Sequence, residues 1–234
     1  MLPQPPPNAE APLPSEAALR SHRIWFWIWI TGVFSILGLL FVLAPFIIRV
    51  DKSSDQTEAV SNARQIGLCL FEFEDEYGAY PDVSTISRVK EKTKTELSLG
   101  AKSSNDFFRQ LLATGLTQSE RMFYSKIGGT RKADDDTTGA EALKKSECGF
   151  TYFLGATELS NPGRPLVVTP MIPGTDRFDP KPFKGKAIIL RANCSVTSMK
   201  IDKDGHVIMD GRNLMDPLHP IWEGNAPVIA WPEL

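Results

Sequence analysis

Residues 24–48 read IWFWIWITGVFSILGLLFVLAPFII, a run without one charged side chain. At about 1.5 Å rise per residue, a helix of this length crosses the ~30 Å hydrocarbon core of a bilayer with some tilt to spare. The run exceeds a signal-peptide core of about 7–15 residues, and no small-x-small cleavage site follows it. It is therefore expected to be a transmembrane helix. Trp25, Trp27 and Trp29 cluster at its start, as an interfacial aromatic belt would, a packing surface against another membrane helix being the competing reading. Arg20 and Arg23 precede the run, Arg49 and Lys52 follow it, and the long domain lies on its C-terminal side. These features predict a single-pass membrane protein with its N-terminus in the cytoplasm and its long domain on the far side of the membrane. Residues 1–23, rich in Pro and Ala at their start, are expected to form a solvated cytoplasmic tail. The expected division is thus tail 1–23, membrane helix 24–48 and extracytoplasmic domain 49–234.

About 180 residues follow the run, enough for one domain with its own core. The formal net charge is -2, with acidic and basic residues interspersed. Without a basic stripe to neutralise a phosphate backbone, no nucleic-acid partner is expected. Cys69, Cys148 and Cys194 are far apart, and no CxxC pair suggests a structural zinc site. Two readings stand: a Cys148–Cys194 disulfide in an oxidising compartment, or three reduced, mostly buried thiols.

From residue 56 to 77 the apolar positions Val60, Ala63, Ile66, Leu70, Phe73 and Tyr77 are spaced 3, 3, 4, 3 and 4, which is one face of an α-helix. Glu58, Arg64, Glu72, Glu74 and Glu76 fall largely on the other faces, where a crowd of carboxylates is an ordinary solvated surface. Gly78 is placed to cap the helix and Pro81 to prevent its resumption. The charged stretch 51–55 does not forbid helix, so span and amphipathic segment read as one long helix, half in lipid and half on a soluble domain. A second helix is predicted from Asn105 to about Thr114, capped by Ser104 or Asn105, with Phe107, Phe108, Leu111 and Leu112 inward. The segment VKEKTKTEL reads as a marginal helix, and 128–145 as an exposed, flexible loop. Five later segments, 149–154, 165–170, 186–191, 195–201 and 206–209, are short, β-branched or aromatic, and divided by turn residues. An antiparallel meander follows, and the fold class is α+β. Residues 213–234, with Trp222 and Trp231, read as an ordered tail wrapping the domain.

These residues carry a resemblance. The chain resembles the pseudopilin and type IV prepilin superfamily, including the pilin-like proteins of type II secretion. The match lies in the apolar run, in Asn62-Ala63-Arg64-Gln65-Ile66-Gly67-Leu68, and in the close at Tyr77-Gly78-Ala79-Tyr80-Pro81. Major pseudopilins bracket the same helix with a similar Ala-Arg start and Gly-x-Tyr-Pro end. About 57 residues separate Ile24 from Pro81, near a pilin-length helix plus its turn. Asn193-Cys194-Ser195-Val196 stands where prepilin-like hairpins often carry Asp-Gly-Ser-Val. The resemblance covers 24–81 well and the strand region more loosely. It implies a pilin-like fold, with the long helix packed on a C-terminal antiparallel sheet. One departure matters: assembling pilins have Gly before the mature helix and a glutamate soon after it, whereas here Arg23 precedes Ile24 and the run has no glutamate. The implied protein is an uncleaved, membrane-anchored relative of a pilin.

No enzyme is expected, because no Gly-x-Ser-x-Gly elbow, Walker loop, dinucleotide fingerprint or zincin motif occurs. Asp202-x-Asp204-Gly205, with Asp210 and Asp216 nearby, offers oxygen ligands for calcium, and some major pseudopilins bind calcium in a C-terminal loop. The spacing fails the EF-hand pattern, and a plain Asp-Gly turn explains the same letters, so no cofactor is expected. The function predicted is structural: docking within a secretion or pilus-type envelope system, with membrane lipid, other pilin-like subunits or further copies of the chain as partners. Its interaction residues would be Val60, Ile66, Leu70, Phe73 and Tyr77. The alternative is a surface module that recognises a glycan or protein through an exposed Trp222 or Trp231, or through the 128–145 loop.

Overall fold

The computed structural model describes residues 16–138, 142–157 and 159–234; within the first helix, the side chains at 16–26, 28 and 40–53 lie outside that description. The described residues fall into two compact units, divided between Val50 and Asp51. The expected cytoplasmic tail falls largely outside the described residues. Helix α1 runs Glu16–Tyr77 and contributes to both units. In the first unit most of its described apolar side chains are exposed, with Trp29 and Phe34 each 70 % exposed and Ile30 half-buried. Among the described residues no helix is long and apolar enough to cross a membrane. Of the expected span, the side chains at 24–26, 28 and 40–48 are not among them.

The second unit is α+β. Its helices are the end of α1, α2 (Ile86–Thr93) and α3 (Ser104–Ala113), with 3-10 turns at Arg121–Phe123 and Pro220–Trp222. The strands are β1 (Thr151–Leu154), β2 (Pro165–Thr169), β3 (Lys186–Arg191), β4 (Val196–Lys200), the two-residue β5 (Ile208–Met209) and β6 (Arg212–Asn213), and β7 (Val228–Ala230). Five of them form one antiparallel sheet in the order β4-β3-β2-β1-β7.

The end of α1 forms its core face as period-3.6 spacing requires. Ala63, Ile66, Leu70, Phe73 and Tyr77 are all at most 2 % exposed. The face begins at Ala59 rather than Val60, which is half-buried at its margin. Phe73 and Tyr77 stack at 4.5 Å, one helical turn apart. Gly78, at φ 71°, then donates its N–H to Glu74 O and ends the helix in the left-handed conformation that glycine tolerates. Arg88 donates to the last helical carbonyl, that of Tyr77. Glu74, expected on a solvated face, is buried at this helix end.

α3 starts one residue before the expected position. Ser103 is its cap: its hydroxyl accepts from Asp106 N–H, and the Asp106 carboxylate accepts from Ser103 N–H, a reciprocal capping box. Of the marginal segment 89–97 only the first half is helical: α2 starts earlier, at Ile86, holds Val89 fully buried, and ends at Lys94 in the left-handed conformation.

The sheet is covered on both faces, so two cores form. Tyr152, Ile188 and Leu190 join the helix side with Phe73, Phe107 and Phe108. Their alternates Phe153, Ala187 and Ile189 pack on the opposite side with Phe178, Leu214 and Trp222. A bulge between Pro165 and Val167 breaks this alternation in β2, and both Leu166 and Val167 join the helix side. The segment 213–234, expected as a wrapping tail, instead supplies an edge strand: Tyr152, Phe153 and Leu154 pair with Ala230, Ile229 and Val228. Pro227 and Pro232 flank β7, where prolines are tolerated because a strand's ends and outer edge need fewer donors.

Burial makes a direct prediction. Phe73→Ala empties a fully enclosed site and should cost about 3–5 kcal/mol. Phe71→Ala, two residues away and 57 % exposed, should change stability by no more than about 0.5 kcal/mol. Chemical denaturation of the full chain, followed by tryptophan fluorescence, checks both; equal losses would contradict this orientation of α1.

Candidate functional site

The residues singled out from sequence sort into three places. The expected interaction stripe is occupied within the chain: Ile66, Leu70, Phe73 and Tyr77 are enclosed by the domain's own core, and Val60 sits at its margin. The apolar side chains that the end of α1 turns outward are Leu68 and Phe71, 60 % and 57 % exposed. Phe71 edges a groove of about 440 Å³ with Glu74, Tyr80, Pro162, Ala192 and Asn193.

The four aspartates proposed for calcium do not converge. Among the described residues, the one group of carboxylates close enough to share an ion lies elsewhere. Each of three aspartates serves a local turn instead. Asp202 accepts from Asp204 N–H at 2.9 Å and His206 N–H at 2.8 Å, and these backbone bonds, that of His206 foremost, hold its carboxyl below the usual range. Asp210 (φ 49°) and Gly211 (φ 77°) form the two-residue loop joining β5 to β6, the left-handed pair that an Asp-Gly hairpin favours. Asp216 accepts from Leu218 N–H at 2.9 Å. Asp204 is an exposed turn residue.

The tryptophans are corrected too. Trp222 is fully buried against Phe153, and its indole N–H donates to Leu214 O at 2.7 Å, so it is a core residue and not a contact surface. Trp231 is half-buried at the margin of the same core. The thiols of Cys69, Cys148 and Cys194 are unlinked. Cys148 lies 3.5 Å from both Ser104 Oγ and Phe150 O, while Cys194 faces Gly67 O at 3.8 Å, so the two occupy different surroundings.

The residues that do come together are Glu120, Asp134 and Glu147. One carboxylate oxygen from each lies within 4.8 Å of the others. Glu120 precedes the 3-10 turn at Arg121–Phe123, and Glu147 precedes the buried Cys148. Asp134 belongs to the loop read from sequence as exposed and flexible. That loop is tied down at both ends. Arg131 N–H donates to Ser146 O, and Ala142 and Leu143 are fully buried. From α3, Asn105 Nδ2 donates to the Leu143 and Lys144 carbonyls, and Arg109 Nε donates to Ala142 O at 2.7 Å.

Two cations serve the three acids. Lys144 Nζ bonds Asp134 Oδ2 at 2.8 Å and holds that carboxyl below its ordinary range. Arg131 Nη2 lies 2.9 Å from Glu147 Oε1, an ion pair outside hydrogen-bond geometry, while Glu147 Oε2 accepts from Lys144 N–H at 2.6 Å. Glu120 has no cation among these contacts. Its Oε1 accepts from Leu143 N–H, whereas its Oε2 is enclosed and without a hydrogen-bond partner among the described residues. Burial pushes the Glu120 carboxyl upward, with the Glu147 and Asp134 charges adding to the rise and the Leu143 bond and the Lys144 charge opposing it. Chemically, this is an all-oxygen pocket with one carboxylate oxygen unused.

No protein-family model, curated protein or solved structure matches this chain.

The thiols supply a test of these placements. Burial pushes Cys69 and Cys148 up to about 11, with Glu72 adding to the rise at Cys69, so both are almost wholly protonated at pH 8. Iodoacetamide on the native protein should label half-buried Cys194 first, and Cys69 and Cys148 only after denaturation. Peptide mass mapping checks the order; early labelling of Cys148 would contradict its enclosure.

Proposed function

We propose that this chain is a membrane-anchored, pilin-like interaction component of a secretion or pilus-type envelope system. Its domain would lie outside the inner membrane and its N-terminus in the cytoplasm. One observation carries the reading: the sequence of α1 joins an uncharged run to a stripe packed on an antiparallel sheet. In the first unit, Trp27, Trp29, Phe34, Ile36, Leu37 and Leu39 are 54–70 % exposed. Each buried methylene is worth about 0.8 kcal/mol, so such a surface in water is costly, and a lipid surround removes the cost. In the second unit the α1 face from Ala59 to Tyr77 is sealed by the sheet and by α3. The end at Gly78-Ala79-Tyr80-Pro81 keeps the helix close that the resemblance rests on.

In this reading the mechanism is docking. The membrane helix packs laterally in lipid, against other pilin-like subunits or a second copy. The domain presents Leu68, Phe71 and the adjoining groove. A binding module built on Trp222 loses support, because that side chain is enclosed.

The expected outcome in cells is a chain that stays with the membrane pellet through alkaline carbonate and is released by detergent. Its intact mass should include residues 1–23, since Arg23 rather than glycine precedes the run. Release by carbonate would defeat the anchor. A mass beginning near Ile24 with an N-terminal methyl group would replace the uncleaved component with a processed filament subunit.

A further inference from the structure

The pocket of Glu120, Asp134 and Glu147 presents a problem of charge. Two of its three carboxylates are fully enclosed, and a buried carboxylate is tolerated only with a counter-charge and filled hydrogen bonds. Glu147 has Arg131, and Asp134 has Lys144. Glu120 has one backbone N–H for Oε1 and no hydrogen-bond partner for its enclosed Oε2, and the Lys144 charge acts on it without an ion-pair contact. The cations also approach from outside: the Arg131 and Lys144 side chains are 59 % and 32 % exposed. They neutralise the rim and leave the interior oxygen unserved.

We propose that these three carboxylates form a calcium-binding site, with Glu120 Oε2 as the inner ligand, Glu147 Oε1 beside it and Asp134 closing it from the solvent side. The site is independent of the function argued above and distinct from the aspartates at 202–216. Three observations choose the ion. All ligands are carboxylate oxygens, and neither His nor Cys belongs to the group, so a hard cation is selected over zinc or copper. Calcium binds oxygen at 2.3–2.6 Å, so two oxygens on one ion lie no more than about 5.2 Å apart, and a mutual spacing within 4.8 Å satisfies this. The carboxylates come from two irregular connections, Glu120 from the one before the 3-10 turn and Asp134 and Glu147 from the one between that turn and β1, which suits calcium's flexible shell and not magnesium's strict one.

Binding would join what the fold leaves as separate pieces. Glu120 follows α3, Asp134 lies in the long loop, and Glu147 leads into β1; one ion would clamp all three. Lys144 Nζ and Arg131 would swing outward as their partners turn to the ion.

The test is isothermal titration of CaCl₂ into the full-length chain in detergent, ionic strength held constant, with MgCl₂ as a parallel arm and thermal unfolding as a second readout. The expected result is saturable calcium binding with Kd on the order of 10⁻⁴–10⁻³ M, the range of extracellular modules. Tm should rise with the logarithm of calcium concentration. Magnesium should bind at least about tenfold more weakly. Glu120→Gln should abolish both responses. Asp134→Asn, at an exposed side chain whose ion pair with Lys144 lies at the surface, should weaken binding about tenfold and lower the calcium-free Tm by no more than about 4 °C. If Glu120→Gln fails to fold, Asp134→Asn decides alone. No saturable binding to the wild-type chain, equal affinity for magnesium, or unchanged calcium affinity in Asp134→Asn would each overturn the proposal.

Discussion

The domain depends on how closely α1 can approach its sheet. At the centre of the contact is Gly67. A Cβ there would stand 2.8 Å from Leu190 Cδ1, inside the contact distance of any carbon pair. Glycine in a helix costs about 1 kcal/mol relative to alanine, and here it gives the fully buried Leu190 a seat against the helix backbone. The same approach brings the turn after β3 within reach, so that Cys194 Sγ faces Gly67 O. Ile66 and Leu70, on either side of the glycine, then fall inside the core. One missing side chain thus gives Leu190 of β3 its seat on the helix and lets the β3–β4 turn reach the same backbone.

Covering the second face of the sheet is the other requirement. β2 is buried along its whole length, which an antiparallel sheet open to water on one side would not allow. The cover comes from the β2–β3 connection, which brings Met171 and Phe178, and from chain after β4: the Asp202–Gly205 turn, the short β5–β6 hairpin and the 3-10 turn carrying Trp222. Polar residues that look like ligands in sequence are what make these turns. Asp202 and Asp216 accept backbone N–H groups, and Asp210 takes a left-handed conformation. In contrast β4, the outer strand, keeps Thr197, Ser198 and Lys200 along it, a composition that discourages pairing with another chain.

What could be read in advance follows the range of the interactions involved. The α1 stripe is legible because its period of 3.6 is written in adjacent residues, and strands β1 to β4 because their β-branched and aromatic runs stand between turn residues. The cap of α3 falls one residue before Ser104 and two before Asn105, the expected candidates, because three capping-competent side chains stand in a row and only the reciprocal bond with Asp106 selects Ser103. β7 was not legible: three residues between prolines have no strand pattern of their own and become a strand only where β1 offers an edge. The loop 128–145 misled for a similar reason. Its polar letters outweigh Ala142 and Leu143, whose burial is decided by Asn105 and Arg109 reaching across from α3. The acid pocket lay beyond sequence reading altogether, since Glu120 and Glu147 are brought together only by the path of that loop. Its one local hint, the run Asp134-Asp135-Asp136, also fits an ordinary solvated turn.

The pairing of β7 with β1 sets an order of events on the ribosome. β1 to β4 can zip as successive hairpins while the chain emerges, but the outer edge of β1 stays bare until residues 228–230 arrive. The start of α3 waits as well, because Ser104 N–H bonds Trp231 O and Asn105 Oδ1 accepts from Glu233 N–H. A nascent chain halted before that point would expose an unpaired strand edge and an incompletely tethered helix, the surfaces chaperones recognise. The sheet of this domain is therefore closed by its last strand in sequence, and every earlier hairpin is held with one edge open until that strand docks.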